Sequence, residues 1–154
     1  MRKLLIVSDT HGTYRYLQEA VDRFRPHQVI HLGDGFSEAE RLAEENFQLP
    51  VVKLIGNCDY RDLDPSDYLD ELEGVRIYAC HGHRYSVKSG LLMLNYAAME
   101  RGAVLCFYGH THIPDIDTSG SITLLNPGAC SGGHPTCALV TLDKGSFHCE
   151  LFEL

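Results

Sequence analysis

The residues able to do chemistry in this chain are carboxylates, imidazoles and one asparagine that recur at the ends of short apolar runs. Asp9-Thr10-His11 follows the run Leu4–Val7, and Gly33-Asp34 follows Val29–Leu32. Gly56-Asn57-Cys58-Asp59 follows Val51–Ile55, His81-Gly82-His83 follows Val75–Cys80, and Gly109-His110-Thr111-His112 follows Val104–Tyr108. An aspartate two residues before a histidine can aim a carboxylate and an imidazole at one cation where the chain turns. An asparagine at a strand end adds a neutral carbonyl oxygen suited to a hard cation. Each piece alone is ordinary: Asp-x-His is commonly a helix cap beside a surface histidine, and Gly-Asn commonly marks a turn. Jointly, Asp9, His11, Asp34, Asn57, His81, His110 and His112 form a nitrogen and oxygen ligand set that lacks thiolate. It is too large for one first-row metal and unlike a structural zinc finger. Two divalent cations are implied, with Asp34 as the bridge. Asp9, His11 and His112 surround one ion; Asn57, His81 and His110 surround the other.

Such groups meet only if the elements carrying them lie side by side. Nearly continuous apolar runs of this length suit strands covered on both faces, with the polar residues aligned at their carboxyl ends. Helical patterns separate the runs. Leu17, Ala20, Val21 and Phe24 fall at helical spacing after Thr13, and Pro26 blocks further extension. Ser37 with Glu40 reads as a capping box opening a second helix striped by Ala39, Leu42 and Ala43. Ser89 opens a third, in which Leu91, Leu92, Leu94 and Ala98 face the core before a closing Gly102. From about residue 115 the pattern changes to strands and turns. Ser119-Gly120 and Lys144-Gly145 read as hairpin connections, with strands at Ala138–Leu142 and Phe147–Phe152. The chain is expected to be α/β: one domain of two sheets with helices outside.

Composition sets the outer limits. A length of 154 residues suits a single domain, residues 1–154, and 44% apolar with 22% charged residues excludes a disordered chain. The formal charge of −8 repels a long polyanion, so no long nucleic acid is expected as partner. The first apolar run is too short for a signal-peptide core, and no run reaches the ~20 residues that span a bilayer. No membrane association and a cytoplasmic location are expected, with the six dispersed cysteines reduced. Cys80 and Cys106 read as small buried hydrophobes and His31 as a buried, hydrogen-bonded histidine, whereas His27 and His148 read as surface residues.

The five motifs, in this order, resemble the calcineurin-like metallophosphoesterase superfamily, and the short length and Cys58 are most similar to its YfcE-like phosphodiesterase branch. The likeness runs from residue 3 to the strand after Asn126-Pro127-Gly128. It implies a four-layer αββα sandwich of two mixed sheets flanked by helices, a dinuclear metal centre and hydrolysis of phosphate esters. It also implies catalytic roles for Asp34, Asn57, Cys58, Asp59 and His81, and a substrate-binding set of Asn57, Cys58, His83 and His134. Two departures matter. The superfamily usually has histidine at the position of Cys58, near the leaving oxygen, and a thiol cannot supply a cationic imidazolium. An arginine is common shortly after the Asn-Pro-Gly loop, where this chain reads Ala129 to Pro135 and only His134 could partly replace it.

The expected reaction is in-line attack on phosphorus by hydroxide generated between two cations about 3.5–4 Å apart. Manganese is favoured by the oxygen-rich ligand set, with nickel, iron, cobalt or zinc as alternatives. A small phosphate diester is the expected substrate, because a monoester would benefit from a further cation. The competing readings are a phosphomonoesterase on the same centre and a non-catalytic metal-binding scaffold or protein-interaction module. Self-association into a homo-oligomer is also expected from the resemblance.

Overall fold

The computed structural model describes all residues 1–154. Two five-stranded sheets stack face to face. The first has the order β10-β9-β1-β2-β3, from β1 (Arg2–Val7), β2 (Gln28–His31), β3 (Val51–Lys53), β9 (Thr136–Asp143) and β10 (Ser146–Glu153). The second has the order β4-β5-β6-β8-β7, from β4 (Asp67–Leu72), β5 (Val75–Cys80), β6 (Leu105–Phe107), β7 (Asp115–Asp117) and β8 (Thr123–Asn126). Strands β1, β2 and β3 run parallel, as do β5, β6 and β8. The strands that end in chemistry-bearing residues therefore point their carboxyl ends the same way within each sheet.

Three apolar layers hold the stack together. Leu4, Ile6, Ile30 and Leu32 from one sheet meet Ile77, Ala79, Leu105 and Phe107 from the other in the central layer. On the outer face of the first sheet, Leu5, Val7 and Val29 pack against Leu17 and Ala20 of α1 (Arg15–Phe24) and Leu42 of α2 (Phe36–Glu45). On the outer face of the second, Tyr78, Cys80 and Cys106 pack against Leu94, Ala97 and Ala98 of α3 (Leu92–Glu100). Side chains alternate across a strand, so Leu4 and Ile6 enter one layer while Leu5 and Val7 enter the other. This is the four-layer αββα sandwich and explains why the runs carry no polar alternation: both faces are covered.

Local readings need correction at the helix starts. Helix α2 begins at Phe36, with Gly35 as its cap and no side-chain cap bond, so Ser37 lies inside the helix and no capping box forms. Helix α3 begins at Leu92 rather than at Ser89, which closes a separate 3₁₀ turn, Val87–Ser89. Leu92 is exposed, not core-facing. Strand β4 had no clear sequence signal because it is an edge strand, alternating exposed and half-buried residues with four of its six positions charged or facing solvent. The two hairpin turns are where they were expected: Ser119-Gly120 lies between antiparallel β7 and β8, and Lys144-Gly145 between β9 and β10. No helix is long and apolar enough to cross a membrane.

Candidate metal centre

The carboxyl ends of β1, β2, β5 and β6 converge on one edge where the two sheets meet. Backbone bonds sew the turns together: Asp9 N donates to Gly33 O (2.9 Å), His11 N to Asp34 O (3.0 Å) and Gly109 N to His81 O (2.9 Å). Glycine at 56 and 109 permits this approach. A methyl group at Gly56 would stand 2.2 Å from Asp34 Oδ1, and one at Gly109 would stand 2.2 Å from Ser8 Oγ. Nine non-glycine residues have positive φ, and five of them are Asp9, His11, Asp34, His110 and His112. Left-handed backbone in such residues costs of order 1 kcal/mol each and clusters where geometry serves function.

Each aspartate divides its oxygens between protein and cluster. Asp9 Oδ2 accepts from Ser8 Oγ (2.6 Å) and from His110 N (3.2 Å). Its Oδ1 faces His112 Nε2 at 3.2 Å and His11 Nε2 at 3.4 Å, yet is buried without a hydrogen bond. Asp34 Oδ1 accepts from Cys58 N (2.8 Å), leaving Oδ2 toward His81 Nε2 at 3.2 Å and His11 Nε2 at 3.8 Å. His81 Nδ1 lies 3.1 Å from Leu32 O; donation to that carbonyl fixes the tautomer and turns Nε2, buried and without a properly directed hydrogen bond, toward the carboxylates. His11 Nε2 and His112 Nε2 face each other at 3.3 Å.

The electrostatics follow from this crowding. Burial works against ionising Asp34, but His81, the Cys58 N–H and His11 outweigh it and hold the carboxyl well below the usual carboxylate range. Burial works against a charged His81, but Asp34 and Asp9 outweigh it and raise the imidazole above its ordinary value. His110 and His83 are lowered, by burial first and then by His81, which keeps their lone pairs available.

The donor atoms of Asp9, His11 and His112 all lie within 4.8 Å of one another, as do those of Asp34, His81 and His110. Both groups draw on the residues expected from the sequence, Asp34 standing with His81 and His110. Asn57 is exposed, its Nδ2 3.5 Å from Cys58 Sγ. Cys58 Sγ itself groups with His11 and Asp34. A divalent cation fits here: Asp9 Oδ1 and His81 Nε2 are buried without a hydrogen bond, and His11 Nε2 and His112 Nε2 face each other beside Asp9 Oδ1.

The other expected residues lie farther out. Asp59 is fully committed to backbone: Oδ2 accepts from Asp34 N (2.7 Å) and Gly56 N (2.8 Å), and Oδ1 from Gly35 N and Phe36 N (3.1 Å each). Its carboxylate thereby caps α2 from another element and pins the Gly33–Asp34 and Gly56 turns together. The His83 ring stands 5.5 Å from that of His81 and 6.1 Å from that of His110. His134 is exposed on its loop and belongs to neither ligand group. Two supports were not foreseen, Ser8 on Asp9 Oδ2 and Ser131 Oγ on Asp9 O (2.7 Å), while His31 is the buried, hydrogen-bonded histidine expected and lies behind both turns. Of the two, only Ser8 had a sequence signal, its adjacency to Asp9.

The chain is similar to known proteins. Residues 2–145 match the calcineurin-like phosphoesterase superfamily domain. The chain is 36% identical over 132 residues to the probable metallophosphoesterase YsnB of Bacillus subtilis, covering 82% of this chain and 73% of that protein. It is 26% identical to phosphodiesterase MJ0936 of Methanocaldococcus jannaschii, covering 94% and 96%, and 27% identical to phosphodiesterase YfcE of Escherichia coli, covering 88% and 84%. A conserved, uncharacterised predicted phosphoesterase from Streptococcus pneumoniae superposes with a TM-score of 0.81 at 30% identity over 99% of this chain and 89% of that one. With the paired carboxylate and imidazole groups in place at the strand ends that the motifs mark, this chain belongs to the calcineurin-like phosphoesterase superfamily.

Proposed function

We propose that this protein is a phosphodiesterase that uses two divalent cations, manganese favoured, to hydrolyse small phosphate diesters in the cytoplasm, with residues 1–154 acting as one domain that self-associates. The observation that carries the reading is the pair of buried, unbonded donors, Asp9 Oδ1 and His81 Nε2, each at the centre of a three-residue ligand group. Asp9, His11 and His112 would hold one cation and Asn57, His81 and His110 the other, with Asp34 Oδ2 between them. Cations bound there would lower the pKa of water toward ~7 and neutralise charge on the phosphate oxygens.

The chain's own groups supply the rest. Ser8, His110 N and Cys58 N each hold one oxygen of an aspartate so that the other stays aimed inward. Asp59 is a positioning residue, acting through the two turns it pins. Asn57 and Cys58 stand exposed at the mouth, where they orient the ester, and His83 flanks it from the β5 side. Burial and the nearby Asp34 carboxylate push the Cys58 thiol up, so it stays protonated and gives a leaving alcohol little help. Esters with acidic leaving groups suit this site. The acidic surface favours small substrates over long polyanions.

The test is metal content by elemental analysis beside turnover of bis-p-nitrophenyl phosphate and p-nitrophenyl phosphate with each candidate ion. Metal binding with faster diester turnover is expected, and Asp34→Ala and His81→Ala should lose metal and hydrolysis together. Tight metal binding without turnover would favour a scaffold, and faster monoester turnover a phosphomonoesterase.

A further inference from the structure

Beside the ligand cluster, and sharing His81 with it, lies a partly enclosed cavity of about 60 Å³. The 3₁₀ turn His83–Tyr85 forms one wall, and Ser66 with Asp67 at the start of β4 forms the other. Its lining is mixed, with Tyr78, Cys80 and Tyr85 beside hydrogen-bonding groups. Arg84 Nη1 donates to Ser66 Oγ (3.0 Å), and Tyr78 donates to Asp67 Oδ2 (3.0 Å) while its oxygen lies 2.9 Å from the Tyr85 hydroxyl. Those bonds leave much unused: the Ser66 proton, further guanidinium N–H groups of Arg84, which forms no ion pair, and Asp67 Oδ1. His83 Nδ1 is buried there with no partner at all.

The chemistry of this lining selects its occupant. The Asp67 carboxylate repels an anionic group, and the guanidinium repels a cationic one. A wholly apolar aryl or alkyl group would leave the unpartnered His83 Nδ1 and the unused donors and acceptors of Arg84 and Asp67 unsatisfied. A neutral group that both donates and accepts at several points satisfies all of them, and that is a set of neighbouring hydroxyls. Carboxylates hold sugar hydroxyls in the same way elsewhere. The volume admits a few water-sized groups, enough for a glyceryl chain or the edge of a sugar and too little for a nucleobase.

Resting on the phosphodiesterase reading, we infer that the cavity between the His83–Tyr85 turn and Ser66–Asp67 is a subsite for one alcohol arm of the diester, and that this arm is a small polyol, glyceryl or sugar-like. Arg84 and Asp67 are its specificity residues. Ser66 orients Arg84, and His83 Nδ1 accepts a hydroxyl proton at the boundary with the metal centre.

The test compares p-nitrophenyl glyceryl phosphate with p-nitrophenyl propyl phosphate, which differ only in the two hydroxyls. For the metal-loaded enzyme, kcat/KM should be at least tenfold higher for the glyceryl ester, mainly through KM. Arg84→Met, at an exposed position where folding is safe, and Asp67→Asn should each bring that ratio close to one. Calorimetric binding of glycerol 3-phosphate against propyl phosphate, with and without added Mn(II), gives the same comparison without turnover. Equal affinities for the two phosphates, or a ratio that survives both substitutions, would overturn the subsite. Preferential glycerol 3-phosphate binding in an enzyme inert toward every diester, bis-p-nitrophenyl phosphate included, would keep the subsite and overturn the phosphodiesterase reading instead.

Discussion

The imidazole of His31 and the hydroxyl of Thr10 form a hydrogen bond of 3.0 Å whose direction the neighbouring groups determine. Gly33 N donates to His31 Nδ1 (3.1 Å), so the ring proton sits on Nε2 and is given to Thr10 Oγ1. Thr10 Oγ1 in turn donates a hydrogen bond to Glu38 Oε2 (3.2 Å). The neutral imidazole thus ties the turn after β1 to the turn after β2 and to α2, behind the aspartates. A charged ring would lose the Gly33 bond.

This arrangement predicts a pH dependence. Burial pulls His31 down to about 4, against an ordinary value near 6.5. The unfolded chain therefore binds the extra proton first. Stability from this residue is complete above about pH 6.5 and falls as pH drops toward 4, by up to roughly 3 kcal/mol. His81, raised in the metal-free protein, acts in the opposite sense. Urea midpoints of the metal-free protein at pH 7.5 and 5 should fall less for His31→Gln than for the unaltered chain; parallel lines for the two proteins would refute the neutral-ring assignment.

Asp59→Asn replaces two acceptor oxygens with one and sets an NH₂ against backbone N–H groups. Breaking charge-assisted bonds to buried amides should cost about 2–4 kcal/mol. Thermal unfolding should show this even with metal absent, because the bonds belong to the fold. A variant with unchanged stability that loses only activity would mean the carboxylate acts chemically.

Gly56→Ala places a methyl group against Asp34 Oδ1 and, at 2.6 Å, against Asp34 N. The φ at this glycine is not the obstacle; the facing carboxylate is. The variant should stay folded by circular dichroism while metal affinity falls about 10–100-fold, as for other groups that orient ligands. Wild-type affinity in a titration would show that the two turns can separate freely.

Cys58→His tests leaving-group assistance. An imidazole can donate a proton to a departing alkoxide, worth 10²–10⁴ when well placed. Turnover of an alkyl diester should rise at least tenfold in the variant, whereas bis-p-nitrophenyl phosphate, whose leaving group is already acidic, should change only a few-fold. Equal changes for both esters would place residue 58 outside the reaction.

Much of this centre was legible because a strand covered on both faces leaves an unbroken apolar run, and the first polar residue after it marks the sheet edge. Asp9, Asp34, His81 and His110 each follow such a run, and parallel pairing brings them together. The histidines at 31 and 81 show the limit. Position relative to the strand end already separated a buried, hydrogen-bonded His31 from a candidate ligand at 81, but the partners that orient the two rings, Gly33 N and Leu32 O, come only from the fold. Asp59 was read as catalytic because it adjoins Asn57 and Cys58, but its four amide partners come from segments about 25 residues away as well as from its own turn. His134 was drawn toward the site by its loop's place in the motif order, and the loop instead contributes Ser131. The start of α2 was misread for the same reason: a local capping pattern was present, but a distant carboxylate already held those amides.

The left-handed backbone at Asp9, His11, Asp34, His110 and His112 bears on how metals are chosen. These torsions are imposed by sheet pairing and by the bonds between turns, none of which requires an ion. The shape of the candidate cradle is thus part of the fold itself. Mixed imidazole and carboxylate donors on such a frame suit several first-row metals, so the choice among them would fall to ligand type and to which metals the surroundings supply.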